Sequence, residues 1–363
     1  MKRIGLSLPI ISNDEKKAVQ KVLNSGFLAS GSDVAELEEA FARYIGTRYA
    51  IAVSSGTTAL HAALLANGIG HGDKVITTPF SFIATSNSVL FCGAKPIFCD
   101  IDENTFNLDP EKVEACLKKT KGVKAIIIVH LYGLSCDIDK FRRIAKKYNV
   151  LLIEDCAQSV GAAYKSKLTG SFGDAGCFSF YATKNMMTGE GGIITTNSKK
   201  VNDLCRSLIN HGRSARFEHN ILGFNFRMTN IAAALGNVQL KKIDSFNNAR
   251  IKNAAEYDKI LSAIPWIITP AVPKGYKHVY HQYTIKVPKS RRDGLIKYLN
   301  EKGIDAAPIY PICIPEQPLY IKKGYKALKI AHGMSKSVVC LPAHPKVTLK
   351  DVRYICECIK TFK

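Results

Sequence analysis

Three short stretches of this chain hold residues whose types and settings could do chemistry together. In SSGTTAL, Ser54 to Leu60, a strand-like run ends in small residues and a helical pattern begins. Such a junction offers free backbone N–H groups and the positive end of a helix dipole, which suits a phosphate. Gly56 permits close approach there, and Thr57 and Thr58 add hydroxyl donors. In IEDCAQSVG an apolar run ends on Glu154 and Asp155, and ligands of open parallel sheets bind beyond the carboxyl ends of strands. Gln158 is expected one helical turn beyond Asp155, facing the same ligand. In FSFYATKNMMTGEGGIITTN, Lys184 stands between a β-like run and a turn whose Gly191 and Gly192 let backbone pass close to a ligand.

Taken singly, each stretch has a plainer reading. Serine and threonine at a helix start are mostly caps, a lone carboxylate is often a surface charge, and most lysines are solvated. Taken together they fit a cofactor with a phosphate, an aldehyde and a ring nitrogen. A lysine of lowered pKa can form a Schiff base with the aldehyde, and a carboxylate can keep a pyridine nitrogen protonated so that the ring draws electrons from a carbanion.

The elements that must position these residues follow from periodicity. From about residue 34 to 200, apolar runs (YAIAVSS, KVITTPF, KPIFCDID, KAIIIVHLYG, NVLLIEDCA) alternate with helical stretches (TTALHAALLANG, SFIATSNSVLFCG, DIDKFRRIAKKY). That alternation predicts an α/β domain with a mostly parallel sheet covered by helices. Met228 to Ile264 reads as helical, closed by prolines at 265, 270 and 273. HVYHQYTIKV then reads as a strand, RRDGLIKYLNEKG as a helix and VTLKDVRYICECI as the start of the last helix. The expected division is a large domain over 1–245 and a smaller α+β domain over 246–363, with the opening residues, to about residue 25, packing on the latter.

Composition excludes other classes. With 46% hydrophobic and 22% charged residues the chain reads as an ordinary globular protein, and no run is apolar for long enough to span a bilayer. The opening MKRIGLSLPIISNDEKK lacks the apolar core and cleavage site of a signal peptide, so a cytoplasmic location is expected. Eleven cysteines set singly in apolar runs point to free, buried thiols, and the Cys356–Cys358 pair lacks the second ligand pair of a zinc site, so no metal is expected. The formal charge of +21 lies mostly beyond Lys241 as scattered pairs, without the arms or aromatic strands that bind nucleic acid. No nucleic-acid or membrane partner is expected.

The motifs SSGTTAL, TTPFSFIATSN, IEDCAQSVGA, FSFYATKN, TGEGG, NHGR, GFNFRMTNIAAALG, HVYHQYTI and CLPAHP occur in the order and approximate spacing of the DegT/DnrJ/StrS sugar aminotransferases. The chain resembles that family from about residue 6 to 360. The resemblance implies an aspartate-aminotransferase-type fold (PLP fold type I) and pyridoxal 5'-phosphate as cofactor. It makes Lys184 the Schiff-base lysine and proton shuttle, Asp155 the partner of the pyridine nitrogen and Gln158 a contact to the ring hydroxyl. Thr57, Thr58 and Ser179 would hold the phosphate, Phe82 would stack on the ring, and Asn225 would reach the phosphate from a neighbouring subunit, implying a homodimer with shared sites. Arg213, His281 and Tyr310 are candidate substrate contacts.

The implied reaction passes an amino group, usually from L-glutamate, to a nucleotide-linked keto sugar. KNMMTGEGG is similar to the pattern of members that aminate carbon 4 of a 4-keto-6-deoxy hexose, although Met186 and Met187 replace the Ile-Thr pair common there. Carbon-3 keto sugars and keto-cyclitols are the alternatives within the enzyme class. A basic regulatory or nucleic-acid-binding protein on the same scaffold is the non-enzyme alternative. Relatives that replace the lysine with histidine are dehydrases, which Lys184 argues against.

Overall fold

Aliphatic and β-branched runs become the strands of the central sheet. These are β1 (Tyr49–Val53), β2 (Lys74–Thr77), β3 (Lys95–Phe98), β4 (Val123–Val129) and β5 (Leu151–Asp155). A small hairpin, β6 (Ala163–Tyr164) with β7 (Lys167–Leu168), leaves the sheet before β8 (Ala175–Ser179) and β9 (Gly192–Thr196) rejoin it. The computed structural model describes residues 3–362; Met1 and Lys2, which begin the opening stretch discussed above, and Lys363 lie outside the described residues.

The seven sheet strands lie in the order β1-β9-β8-β5-β4-β2-β3. All pairs are parallel except those of β9, which runs antiparallel to both β1 and β8. Both faces are covered, so alternate residues of one strand enter different cores. Val75, Ala125, Ile127 and Ile153 pack with α3 (Gly56–Ala66) and α7 (Lys199–Leu208), whereas Ile76, Ile126, Ile128 and Leu152 pack with α5 (Pro110–Lys119) and α6 (Ile138–Tyr148). A third core joins α2 (Ser32–Ile45) through Leu37 and Phe41 to Phe178 and Ile193 of the sheet. Because β1, β5 and β8 share one direction, their carboxyl ends at Val53, Asp155 and Ser179 open on one edge of the sheet. That edge gathers the three stretches singled out above.

The C-terminal body has its own core. There β13 (Tyr283–Lys286) pairs antiparallel with β14 (Val338–Leu341) against α9 (Lys289–Glu301) and α12 (Leu349–Thr361). The strand expected over HVYHQYTIKV is shorter than its apolar pattern suggests. Tyr280 takes φ 45, a left-handed backbone that ends extended geometry, and its ring stacks on His278 with centroids 3.9 Å apart. Residues 278–282 therefore form a loop that turns towards the sheet edge.

The 32-residue helix α8 (Asn230–Leu261) joins the two bodies. Ala233, Leu240 and Ile243 enter the core beside α2, and Ala254, Tyr257 and Leu261 enter the C-terminal core, so the division expected at 245/246 falls inside one continuous helix. The opening residues reach both bodies. Ile4 bridges to Ile304, while Glu15 of α1 (Asn13–Ser25) is buried against Gln239 and Lys242 of α8. Among the described residues no helix is long and apolar enough to cross a membrane. All eleven cysteines are free, and ten of them are buried.

Candidate active site

Helix α3 starts at the carboxyl end of β1 through a capping box. Ser55 accepts from the Thr58 N–H at 3.1 Å, and the Thr58 hydroxyl accepts from the Ser55 N–H at 3.0 Å. Thr58 is thus absorbed by the cap, its hydroxyl donating to the Ser55 carbonyl, while Ser55, Gly56 and Thr57 face a cavity of about 620 Å³. Gly56 is required by packing: a Cβ there would sit 2.7 Å from Cβ of Ser179. Ser179, the last residue of β8, consequently lies against the first turn of α3 and lines the same cavity.

Asp155 ends β5 at the floor of that cavity. Its carboxylate accepts from the Thr85 hydroxyl at 2.8 Å and from the Ala157 N–H at 3.1 Å. Burial pushes the carboxyl above the usual range, against the pull of these donors and of the Lys184 ammonium. Beyond Asp155 the chain makes turns, not the expected helix. Gln158 reaches the cavity through the turn, where its Oε1 accepts from the Tyr132 N–H at 2.7 Å and its Nε2 donates to the Tyr310 hydroxyl at 2.9 Å. Tyr132 in turn donates its hydroxyl to the carbonyl of Ile309, fixing the loop that carries Tyr310.

Lys184 lies in a turn after β8, its N–H bonded to the Tyr181 carbonyl at 2.8 Å. The side chain is half-buried in the cavity wall, and desolvation lowers its pKa from 10.5 to about 8, with Asp155 opposing that drop. Gly191 and Gly192 serve a different purpose from the one expected. A Cβ on Gly192 would sit 2.5 Å from the Ser55 carbonyl and one on Gly191 2.3 Å from the Thr188 hydroxyl, so the first lets β9 pass beside the start of α3 and the second makes room for Thr188.

Phe82 and Tyr310 both line the cavity, their rings tilted by 36° with centroids 6.4 Å apart, and Phe82 is 58% exposed. His281 also lines the cavity. Arg213 and Asn225 do not: Arg213 lies in the exposed hairpin of β10 (Arg213–Ala215) and β11 (Glu218–His219), and Asn225 is exposed beside Asn210. Thr85, Asn185 and Ser55 were not legible as site residues, because their hydrogen-bonding partners or their cap geometry appear only in three dimensions. Ser55 alone had a signal, the serine directly preceding Gly56 at the helix start.

Glu154 faces away from the cavity and is wholly buried. It accepts from the N–H groups of Gly170, Phe172 and Gly173, each at 2.8 Å, and from His130 Nε2 at 3.0 Å. His130 Nδ1 accepts from the Cys136 N–H, so Nε2 carries the proton that Glu154 receives. Glu154, His130 and Cys156 lie close enough to offer ligand atoms to a metal, but the carboxylate is already saturated by these donors. Burial alone would raise the Glu154 carboxyl; His130 and the backbone donors outweigh it and hold the carboxyl below its ordinary 4.5. Its stabilisation is therefore present above about pH 4.5 and is lost as pH falls through the depressed value. Glu154→Gln turns an amide NH₂ towards N–H donors. Urea unfolding at pH 7 should register a loss of about 3 kcal/mol, and the variant should show a flatter decline of stability in acid.

A family model for the DegT/DnrJ/EryC1/StrS aminotransferases matches residues 9–360. The chain is 40% identical over 358 residues to the GDP-perosamine synthase of Caulobacter vibrioides, covering 96% of this chain and 95% of that protein. It is 36% identical over 345 residues to the UDP-2-acetamido-2-deoxy-3-oxo-D-glucuronate aminotransferase of Pseudomonas aeruginosa, covering 94% of each. The crystal structure of DesV from S. venezuelae in complex with a ketimine intermediate superposes with a TM-score of 0.95 at 31% identity, covering 99% of this chain and 98% of that one. With its aspartate-aminotransferase-type fold, and with a lysine and an aspartate facing one cavity, this chain belongs to the DegT/DnrJ/EryC1/StrS aminotransferase family.

Proposed function

We propose that this aminotransferase takes an amino group from L-glutamate and places it on carbon 4 of a nucleotide-linked 4-keto-6-deoxy sugar, with pyridoxal 5'-phosphate as cofactor. The observation that carries the reading is the meeting of a desolvated Lys184, a buried Asp155 and the N-terminus of α3 in one cavity. These residues fit the cofactor's three handles. The glycine contact at Gly56 keeps the first turn of α3 free of side chain, which suits a phosphate held by backbone N–H groups, Thr57 and Ser179. Thr58 would act on the phosphate only by shaping the first turn of α3, since both its N–H and its hydroxyl are engaged by Ser55. Lys184 would hold the aldehyde, Asp155 the ring nitrogen, Gln158 the ring hydroxyl and Phe82 the ring face.

When bound, the cofactor supplies an electron sink that makes a carbon bearing an amino group acidic. The residues of the chain do the rest. Lys184 Nζ, with a pKa of about 8, holds or releases a proton near neutral pH and can move it between donor and acceptor carbons. Asp155, held by Thr85 and Ala157, presents a fixed acceptor for the ring N–H. Tyr310 and His281 are assigned to the sugar substrate; Arg213, exposed outside this cavity, would serve it only from a second copy of the chain.

Among the described residues the cavity walls of one chain include no arginine, and Lys184 is their single basic group that titrates as a cation. A nucleotide diphosphate and the glutamate carboxylates need further cationic partners. That deficit supports a homodimer with shared sites, in which Asn225, exposed on its own chain, serves the phosphate of a second copy. The carbon-4 assignment rests on KNMMTGEGG, and the relative named for a 3-oxo sugar makes carbon 3 the second reading. A panel of nucleotide-linked 4-keto sugars, 3-keto sugars and keto-inositol, each offered with glutamate, tests both. Release of 2-oxoglutarate is expected with the 4-keto-6-deoxy sugars, and release confined to 3-keto sugars would move the amination to carbon 3.

A further inference from the structure

The position of one proton in the cavity wall follows from a chain of buried amides. Asn247 Nδ2 donates to the carbonyl of Val160 at 2.9 Å, so its Oδ1 must face the other way. There it accepts from Asn185 Nδ2 at 2.9 Å, and the same Nδ2 donates to the Val279 carbonyl at 3.1 Å. Carbonyls only accept, so both amide orientations are fixed. Asn185 Oδ1 is left facing His281 Nδ1 at 3.2 Å, and that contact is a hydrogen bond only if Nδ1 carries the proton. Asn185 and Asn247 are both buried, and neither is free to turn over without opposing two oxygens.

The second ring nitrogen is then a lone pair. His281 Nε2 makes no hydrogen bond among the described residues and is not fully enclosed, and the ring lines the cavity beside Lys184. The imidazole is also kept uncharged by its surroundings. Burial, Lys184 and Arg250 all disfavour a proton on it. Arg250 is buried, forms no ion pair among the described residues and donates Nη1 to the carbonyls of Tyr280 and His281 at 3.2 and 3.4 Å. It therefore fixes the backbone that carries the ring as well as adding positive charge behind it.

We infer that His281, locked as the Nδ1–H tautomer by Asn185, is a specificity-determining residue whose Nε2 accepts a hydrogen bond from a hydroxyl of the keto-sugar substrate. This rests on the sugar aminotransferase reading above and assigns within it what His281 reads. A lone pair attracts a hydroxyl and repels a carboxylate oxygen, so the residue serves the sugar and not the acid groups of the amino donor. Asn185 is a positioning residue that acts through the ring.

Two measurements on the holoenzyme test this. Long-range proton–nitrogen NMR of protein labelled at its nine histidines, with the His281 signal identified by its loss in His281→Phe, should show a protonated Nδ1 and an unprotonated Nε2. Steady-state kinetics should show the KM for the keto sugar rising about tenfold in His281→Phe, the effect of a lost hydrogen bond to a neutral group, with a much smaller change in the KM for glutamate. His281→Gln, which keeps an acceptor at its tip, should recover part of the loss. A protonated Nε2, an unchanged keto-sugar KM in His281→Phe, or an equal rise for both substrates overturns the inference. If the unmodified enzyme aminates no keto sugar, the parent reading fails instead, and the nitrogen spectrum still decides the tautomer.

Discussion

Lys184→Ala should lower turnover by at least about four orders of magnitude, since it removes both the group that would hold the cofactor and the one that would move the proton. Borohydride treatment followed by mass measurement should find cofactor mass fixed to the native chain and none on the variant. A variant that kept full turnover and covalent attachment would remove Lys184 from the centre of the reaction. The same residue should also be costly to the empty fold. Its pKa is about 8 in the folded chain against an ordinary 10.5, so the unfolded chain binds more protons between those values. Stability of the cofactor-free protein should therefore rise as pH increases from about 8 towards 10.5. Lys184→Met, which fills the same space without a charge, should be more stable than the native apoprotein at pH 7 by about 2 kcal/mol after discounting for water in the cavity. Chemical unfolding of the two apoproteins measures this directly.

Asp155→Ala should lower turnover by about a thousandfold while cofactor binding persists, because the proposed phosphate and lysine contacts would remain and the charge proposed opposite the ring nitrogen would be lost. The carboxylate is held at two oxygens, by Thr85 and by the Ala157 N–H, so its orientation is set before any ligand arrives. Single-turnover rates with glutamate, measured alongside cofactor content, separate the two effects. Near-normal turnover would show that the carboxylate has no electronic part in the reaction.

What could be read from the sequence was whatever depends on local pattern. Continuous aliphatic runs marked β4 and β5 because both faces of those strands are buried, and small residues before an apolar helix marked the start of α3. Asp155 was legible by its place at a strand end, and Lys184 by the Gly-rich turn after it and by the company of the other two stretches. Contacts across the fold were not. Nothing near Thr85 announces Asp155, which is 70 residues away, and nothing near Asn185 announces His281, which is 96 residues away. Gln158 was expected on a helix because three-residue spacing suits one, yet the turn after β5 presents it equally well. The glycines after Lys184 drew a ligand-based explanation, whereas the space they leave is filled by Ser55 and Thr188. The strand expected through HVYHQ is interrupted at Tyr280, whose left-handed backbone no hydrophobic pattern encodes.

Helix α8 is a strut. Its 32 residues span about 48 Å, and the cores on which the two bodies rest are built on the same uninterrupted run of backbone hydrogen bonds. A swing of one body against the other would require this rod to snap or to slide. Near its middle it also holds the backbone behind the cavity, through Asn247 to Val160 and through Arg250 to Tyr280 and His281. The cavity therefore has a rigid back. Ligand exchange is therefore expected to proceed without a hinge motion of whole domains.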